Sequence, residues 1–286
     1  MVKAVKGFTL VELILVIILL GIVSTLGLGF LRNGAEMYAQ SADRERLLSQ
    51  SRFVIERLTR ELRNALPNSV RISNDGLCVE FIPLKFAGRY TELPGVNAAT
   101  ALDMTFFSGQ NNSVTNFSSL IAEGDFITVY PTQPQHYYSK SRTLELKAAT
   151  AVDDGSGQRV TLEFNSATLI GFPQASPNQR FFVWDFPVRY CLLAKSATQN
   201  NDLYDIYRFS DYGVIQQEPQ VGDLDKASGS LMATDIVFNS TVSLKPFTYE
   251  DGVLKRSSVV HVVLSFSSNF ADDLFFNQEI HIPNVP

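Results

Sequence analysis

Glu12 is the only charged residue among the 24 from Phe8 to Leu31. The residues before it read Gly7-Phe8-Thr9-Leu10-Val11. An acidic side chain deep in hydrocarbon costs roughly 2.5–3.5 kcal/mol on insertion scales, so Glu12 must either snorkel to the headgroups or meet a cation. Other residue patterns that carry chemistry are missing. There is no G-x-S-x-G elbow, no H-E-x-x-H, no C-x-x-C and no G-x-x-x-x-G-K loop, so no enzyme activity is expected and neither cofactor nor metal is expected. His136, His261 and His281 are scattered, and the last two alternate with apolar residues as sheet-face residues do. Trp184 with Phe181, Phe182 and Phe186 reads as core before it reads as a sugar platform. Asp153-Asp154 and Asp223-Leu224-Asp225 resemble no EF-hand loop and read as solvated turns rather than calcium ligands.

The element that positions Glu12 is the apolar run itself. As a helix, 24 residues reach about 36 Å, against a hydrocarbon core of about 30 Å. Lys3, Lys6 and the free amino terminus precede it, which by the positive-inside rule keeps the start cytoplasmic and exports the chain beyond Leu31. A cleaved signal peptide has a core of about 7–15 residues, shorter than this. A plain signal anchor fits the length but leaves Gly7-Phe8 and Glu12 without a reason.

Gly7-Phe8-Thr9-Leu10-Val11-Glu12 resembles the leader junction of type IV pilins and type II secretion pseudopilins. The resemblance implies that a prepilin peptidase cuts after Gly7, removing residues 1–7, and that Phe8 is then N-methylated. It also implies that Glu12 serves subunit assembly by meeting the charged amino terminus of a neighbour. Further along, Val54-Ile55-Glu56-Arg57-Leu58-Thr59-Arg60-Glu61-Leu62-Arg63-Asn64-Ala65 looks like the helix end of J-type minor pilins and pseudopilins. Cys78-Val79-Glu80-Phe81, Pro187-Val188-Arg189-Tyr190-Cys191 and the ending His281-Ile282-Pro283-Asn284-Val285-Pro286 are similar to minor pilins of the MSHA type. The implied partners are the peptidase, minor and major pilins, inner-membrane lipid and the pilus assembly machinery. The implied location is the bacterial inner membrane, with the C-terminal part periplasmic, and then a pilus or pseudopilus.

Beyond the apolar run, Leu47, Val54, Ile55, Leu58, Leu62 and Leu66 recur at helical spacing while Arg44, Glu45, Arg52, Glu56, Arg60, Glu61 and Arg63 take other faces. Pro67 stops the pattern, so one helix is expected over residues 8–66. Gly21, Gly27, Gly29 and Gly34 inside it read either as close-packing positions or as a hinge. From Leu77 the signal becomes short runs rich in aromatic and β-branched residues, such as LCVEFIPL, DFITVYP and FFVWDFPVRYCLLA, separated by turn clusters. The expected fold is α+β, a long N-terminal helix packed on an antiparallel β-sheet domain. The expected organisation is a leader (1–7), a transmembrane or filament-core segment (8–31), an amphipathic helix (32–66) and a β-rich globular domain (67–286). Residues 85–123, rich in Asn, Ser, Thr and Gly, read as a long loop or weakly structured insertion.

Bulk properties narrow the classes. A net charge of -5 and a pI near 5.3 remove the basic field that nucleic-acid binding needs. Two cysteines, Cys78 and Cys191, exclude a disulfide-dense scaffold. Export to an oxidising compartment and their placement in strand signals lead us to expect a bridge between neighbouring strands, with two buried thiols as the alternative.

Overall fold

The computed structural model describes residues 7–93, 101–105, 121–152, 159–165, 171–195, 203–238, 244–251, 258–268 and 272–282. Leader residues 1–6 with Lys3 and Lys6, the Asp153-Asp154 turn and the final Pro283-Asn284-Val285-Pro286 lie outside the described residues. Two compact units are found, Met1–Ser49 and Gln50–Pro286.

The first unit is helical from Leu10 onward, the start of α1 (Leu10–Arg63, 54 residues). Leu10, Ile14, Ile18, Leu20 and Val23 are exposed, as is every other described side chain from Leu10 to Arg46. A helix apolar all round belongs in lipid or among other helices. Its best eighteen-residue window has a mean hydropathy of 2.7 and no buried residue. The helix runs unbroken through Gly21, Gly29 and Gly34, and a Cβ added at any of these would meet nothing within 4 Å.

The second unit begins within α1, whose last turns bury Val54, Leu58 and Leu62. The helix stops at Arg63, three residues short of the proline-based expectation. The reason is competition for backbone groups: Leu66 N–H donates to the Ile82 carbonyl at 2.8 Å and Leu84 N–H to the Asn64 carbonyl at 2.9 Å. Those bonds draw residues 64–66 into strand-like pairing before Pro67 is reached.

Strands β1 (Arg71–Ile72) and β2 (Cys78–Phe81) come next. The chain then leaves this sheet for a second one. β3 (Phe86–Tyr90), β4 (Ala101–Thr105), β5 (Phe126–Val129), β6 (Thr143–Val152), β7 (Arg159–Phe164) and β8 (Arg180–Trp184) close into an antiparallel barrel, ordered β3-β4-β7-β6-β5-β8. A short helix, α2 (Gln135–Tyr138), lies between β5 and β6. The chain returns through β9 (Val188–Ala194), β10 (Leu203–Phe209), β11 (Ser230–Val237), β12 (Phe247–Glu250), β13 (Ser258–Ser268) and β14 (Asp272–Ile282). The large sheet is ordered β1-β2-β9-β10-β11-β13-β12, with β14 on the other edge of β13.

The α+β expectation therefore holds, with a feature it lacked: a six-stranded barrel inserted between two strands that are neighbours in the large sheet. The long-loop reading of residues 85–123 is corrected at Phe86–Tyr90 and Ala101–Thr105, which form β3 and β4; residues 94–100 and 106–120 of that range lie outside the described residues. Phe86 pairs with Val183, and that long-range partner makes a strand of Phe86-Ala87-Gly88-Arg89-Tyr90, whose Ala and Gly give it little strand propensity of its own. Ile127, Leu146, Val160, Leu162, Phe181 and Val183 fill the barrel. At Gly88 a Cβ would lie 2.5 Å from the Phe181 ring, so the strand comes this close only because the side chain is absent.

Leu66, Ile82, Phe126, Tyr137, Phe182 and Trp184 form a buried cluster joining the end of α1 to the barrel. Tyr137 and Tyr138 hydroxyls donate to the Pro67 and Ser69 carbonyls at 2.8 and 3.1 Å, and Trp184 Nε1–H donates to Thr128 Oγ1 at 2.8 Å. Trp184, Phe181 and Phe182 are thus core, and Phe186 alone of that group is exposed.

Candidate functional site

Gly7, Phe8 and Thr9 precede the first helical residue, Leu10. Leu13 N–H donates to the Thr9 carbonyl at 3.3 Å, and Glu12 N–H reaches Thr9 Oγ1 at 3.4 Å. Thr9 is therefore the N-cap, and Glu12 sits three residues on, in the first turn, where the positive end of the helix dipole favours a carboxylate. Thr9-Leu10-Val11-Glu12 has the T-x-x-E spacing of a capping box, a signal present in the sequence alone. Among the described residues no cation meets the Glu12 carboxylate. The structure brings Gly7, Phe8 and Glu12 together at one helix start, next to an apolar surface with nothing packed on it.

The head is held by two charge clusters on α1 and the large sheet. In the first, Glu61 accepts from Tyr190 Oη at 2.9 Å, from Arg208 Nε at 3.0 Å and from Arg57 Nε at 3.0 Å. Burial, followed by the Glu61 charge, holds the Tyr190 hydroxyl well above its ordinary pKa. In the second, Glu80 is fully buried and accepts from Arg71, from Arg189 Nη2 at 2.9 Å and from Tyr212 Oη at 2.6 Å. Arg189, equally buried, also donates to Asp223 at 3.0 Å. Its burial favours the neutral form, but Glu80, Tyr212 and Asp223 together outweigh that and the guanidinium stays charged. Arg71 continues to the Gln216 and Ile215 carbonyls at 3.0 and 2.5 Å and stacks on Tyr138. These bonds tie residues 212–223 to the sheet.

Cys78 and Cys191 face each other in the β2–β9 register and are joined by a disulfide, 113 residues apart in sequence. The barrel lies wholly within the loop they close.

The remaining candidates are accounted for structurally. His136 lies in α2, not on a sheet; its Nδ1 accepts from Thr132 N–H at 3.0 Å, and burial, aided by Arg142, lowers its pKa. His261 lies on the face of β13 between Glu250 at 3.5 Å and Glu279 at 3.7 Å, and His281 is exposed on β14. Asp223 accepts from Arg189 and from Gln220 N–H at 2.9 Å, while Asp225 caps the 3₁₀ turn Lys226–Ser228. A cavity of about 210 Å³ is lined by Arg71, Tyr138 and Glu218 among others, with the Arg71 guanidinium committed to the bonds above. Among the described residues no group of three or more His, Cys, Asp or Glu is arranged to hold a metal.

Residues 2–28 match the family model described as the prokaryotic N-terminal methylation motif. No curated protein and no solved structure matches the chain. The motif supports a type IV pilin-like or pseudopilin-like protein, and it implies processing by a prepilin peptidase and interaction with other pilins. Motif and apolar helix together fit membrane anchorage.

Proposed function

We propose that the protein is a minor pilin of a type IV, MSHA-like pilus, a structural subunit rather than an enzyme, acting in assembly or initiation at the tip. The observation that carries this reading is the methylation motif leading directly into a helix that is apolar on every face and uncovered in the free chain. Such a helix is at home in the bilayer before assembly and in a bundle of like helices afterwards.

The minor role is argued from bulk. Residues 32–286 have a compact-domain radius of gyration of about 18 Å, and the inserted barrel makes this a large head to repeat along a thin fibre. A subunit of this size fits better where few copies are needed. The J-type likeness of residues 54–65 also favours a second reading, a minor pseudopilin of type II secretion, with the same processing and helix packing but another machine.

Amino-terminal sequencing of the mature protein, together with its localisation in sheared surface fibres, tests the proposal. A mature chain that begins at methylated Phe8 and is found in fibres supports the pilin. A Phe8 start with retention in the envelope supports the pseudopilin. A chain that still begins at Met1 in peptidase-positive cells overturns both.

A further inference from the structure

We infer that Thr9 is a positioning residue for leader removal: as the N-cap of α1 it keeps the Gly7–Phe8 peptide out of the helix, in the open form a peptidase can bind. The inference rests on the processing reading above and adds a residue and a mechanism to it.

Which oxygen takes each amide at the helix start decides where the helix begins. An α-helix pairs each N–H with the carbonyl four residues earlier, so continuing α1 backwards would pair Glu12 N–H with the Phe8 carbonyl and Val11 N–H with the Gly7 carbonyl. The Gly7 carbonyl carbon is the one attacked in cleavage. Instead, Glu12 N–H is turned to Thr9 Oγ1, and the first i to i−4 bond uses the Thr9 carbonyl. Gly7 and Phe8 remain outside the helix. The hydroxyl of Thr9 therefore competes with the Phe8 carbonyl for one donor, and near the bilayer, where water is scarce, an amide without a partner is costly enough for that competition to decide where winding stops.

Cleavage adds water across the Gly7–Phe8 amide. The hydroxyl goes to the Gly7 carbonyl carbon, the C–N bond breaks, and the hydrogen goes to the Phe8 nitrogen, leaving a Gly7 carboxylate and a Phe8 α-amino group. A carbonyl wound into a helix is engaged and shielded, so only the unwound fraction is substrate. Losing the cap lowers that fraction. The apparent affinity for the peptidase falls in proportion, while turnover of the bound, unwound chain is unchanged.

Full-length precursor in detergent, treated with a purified prepilin peptidase, separates the possibilities through three substrates. Thr9→Val keeps the shape of the side chain and removes the acceptor; it should raise KM, by up to about fivefold, the full factor a typical cap represents, with kcat unchanged. Thr9→Ser keeps the acceptor and loses the methyl group; it should restore the wild-type KM. A wild-type KM for Thr9→Val, or a Thr9→Ser substrate as poor as Thr9→Val, would overturn the inference. Failure to cleave even the wild-type chain would overturn the processing reading itself, and with it this one.

Discussion

Glu80 and Arg189 stand opposite each other in the β2–β9 pairing, two positions along from the Cys78–Cys191 bridge, and all four side chains are buried. Residues two apart in a strand share a face. One covalent link and one ion pair thus hold the same two strands, at the point where the chain leaves the large sheet for the barrel and returns to it.

Removing one partner of that ion pair should cost far more than a surface substitution. Arg189→Met leaves Glu80 with Arg71 and Tyr212 but also leaves Asp223 short of a partner. A buried charge left wholly uncompensated costs about 3–5 kcal/mol; because Arg71 and Tyr212 still meet Glu80, the loss should fall below that range, and it should appear in urea unfolding of the protein. Tyr212→Phe removes one hydrogen bond to a charged acceptor and should cost about 1.5–3 kcal/mol.

The disulfide closes a loop long enough to matter. Replacing Cys78 and Cys191 together by Ser should lower stability by about 4–5 kcal/mol on loop-closure entropy, read from the same unfolding curves. Alkylation of the denatured, unreduced wild-type protein should add no mass, since neither cysteine is free.

His136 predicts an acid-sensitive head. Burial lowers its folded-state pKa, with Arg142 adding to the effect, so the unfolded chain binds the proton more readily. Its contribution is therefore present above the unfolded value of about 6.5 and is lost as pH falls through the lower folded value. Stability should drop on acidification by at most about 1.4 kcal/mol per pH unit from this group. His136→Gln should flatten that part of the pH profile, as measured by thermal unfolding.

Glu12 predicts an assembly defect separable from processing. Glu12→Gln and Glu12→Ala should leave the backbone bond from Glu12 N–H to Thr9 available, because it does not use the carboxylate. Leader removal and folding should persist while incorporation into fibres falls. Wild-type incorporation of both variants would remove the pairing of Glu12 with a neighbouring amino terminus, and failed cleavage would move Glu12 to peptidase recognition.

What could be read from the order of residues was whatever depends on near neighbours. The apolar run from Phe8 to Leu31, the Gly7-Phe8 junction and the amphipathic turns that follow are local patterns, since hydrophobic length and 3.6-residue periodicity need no distant partner, whereas the helix end at Arg63 was set by bonds to Ile82 and Leu84. Strand signals around Cys78-Val79-Glu80-Phe81 and Val188-Arg189-Tyr190-Cys191 were legible for the same reason. Which strands pair was not, because register is set by contacts between segments far apart in sequence. Phe86 becomes a strand residue only against Val183, and the closed barrel exists only once β3 finds both β4 and β8. Likewise Glu80 and Arg189, ordinary surface residue types in sequence, become a fully buried pair only when residues 212–223 fold across them. The short-range sequence therefore determined the long apolar helix and the methylation motif at its start, while long-range pairing decided the inserted barrel and the charge cluster at its base.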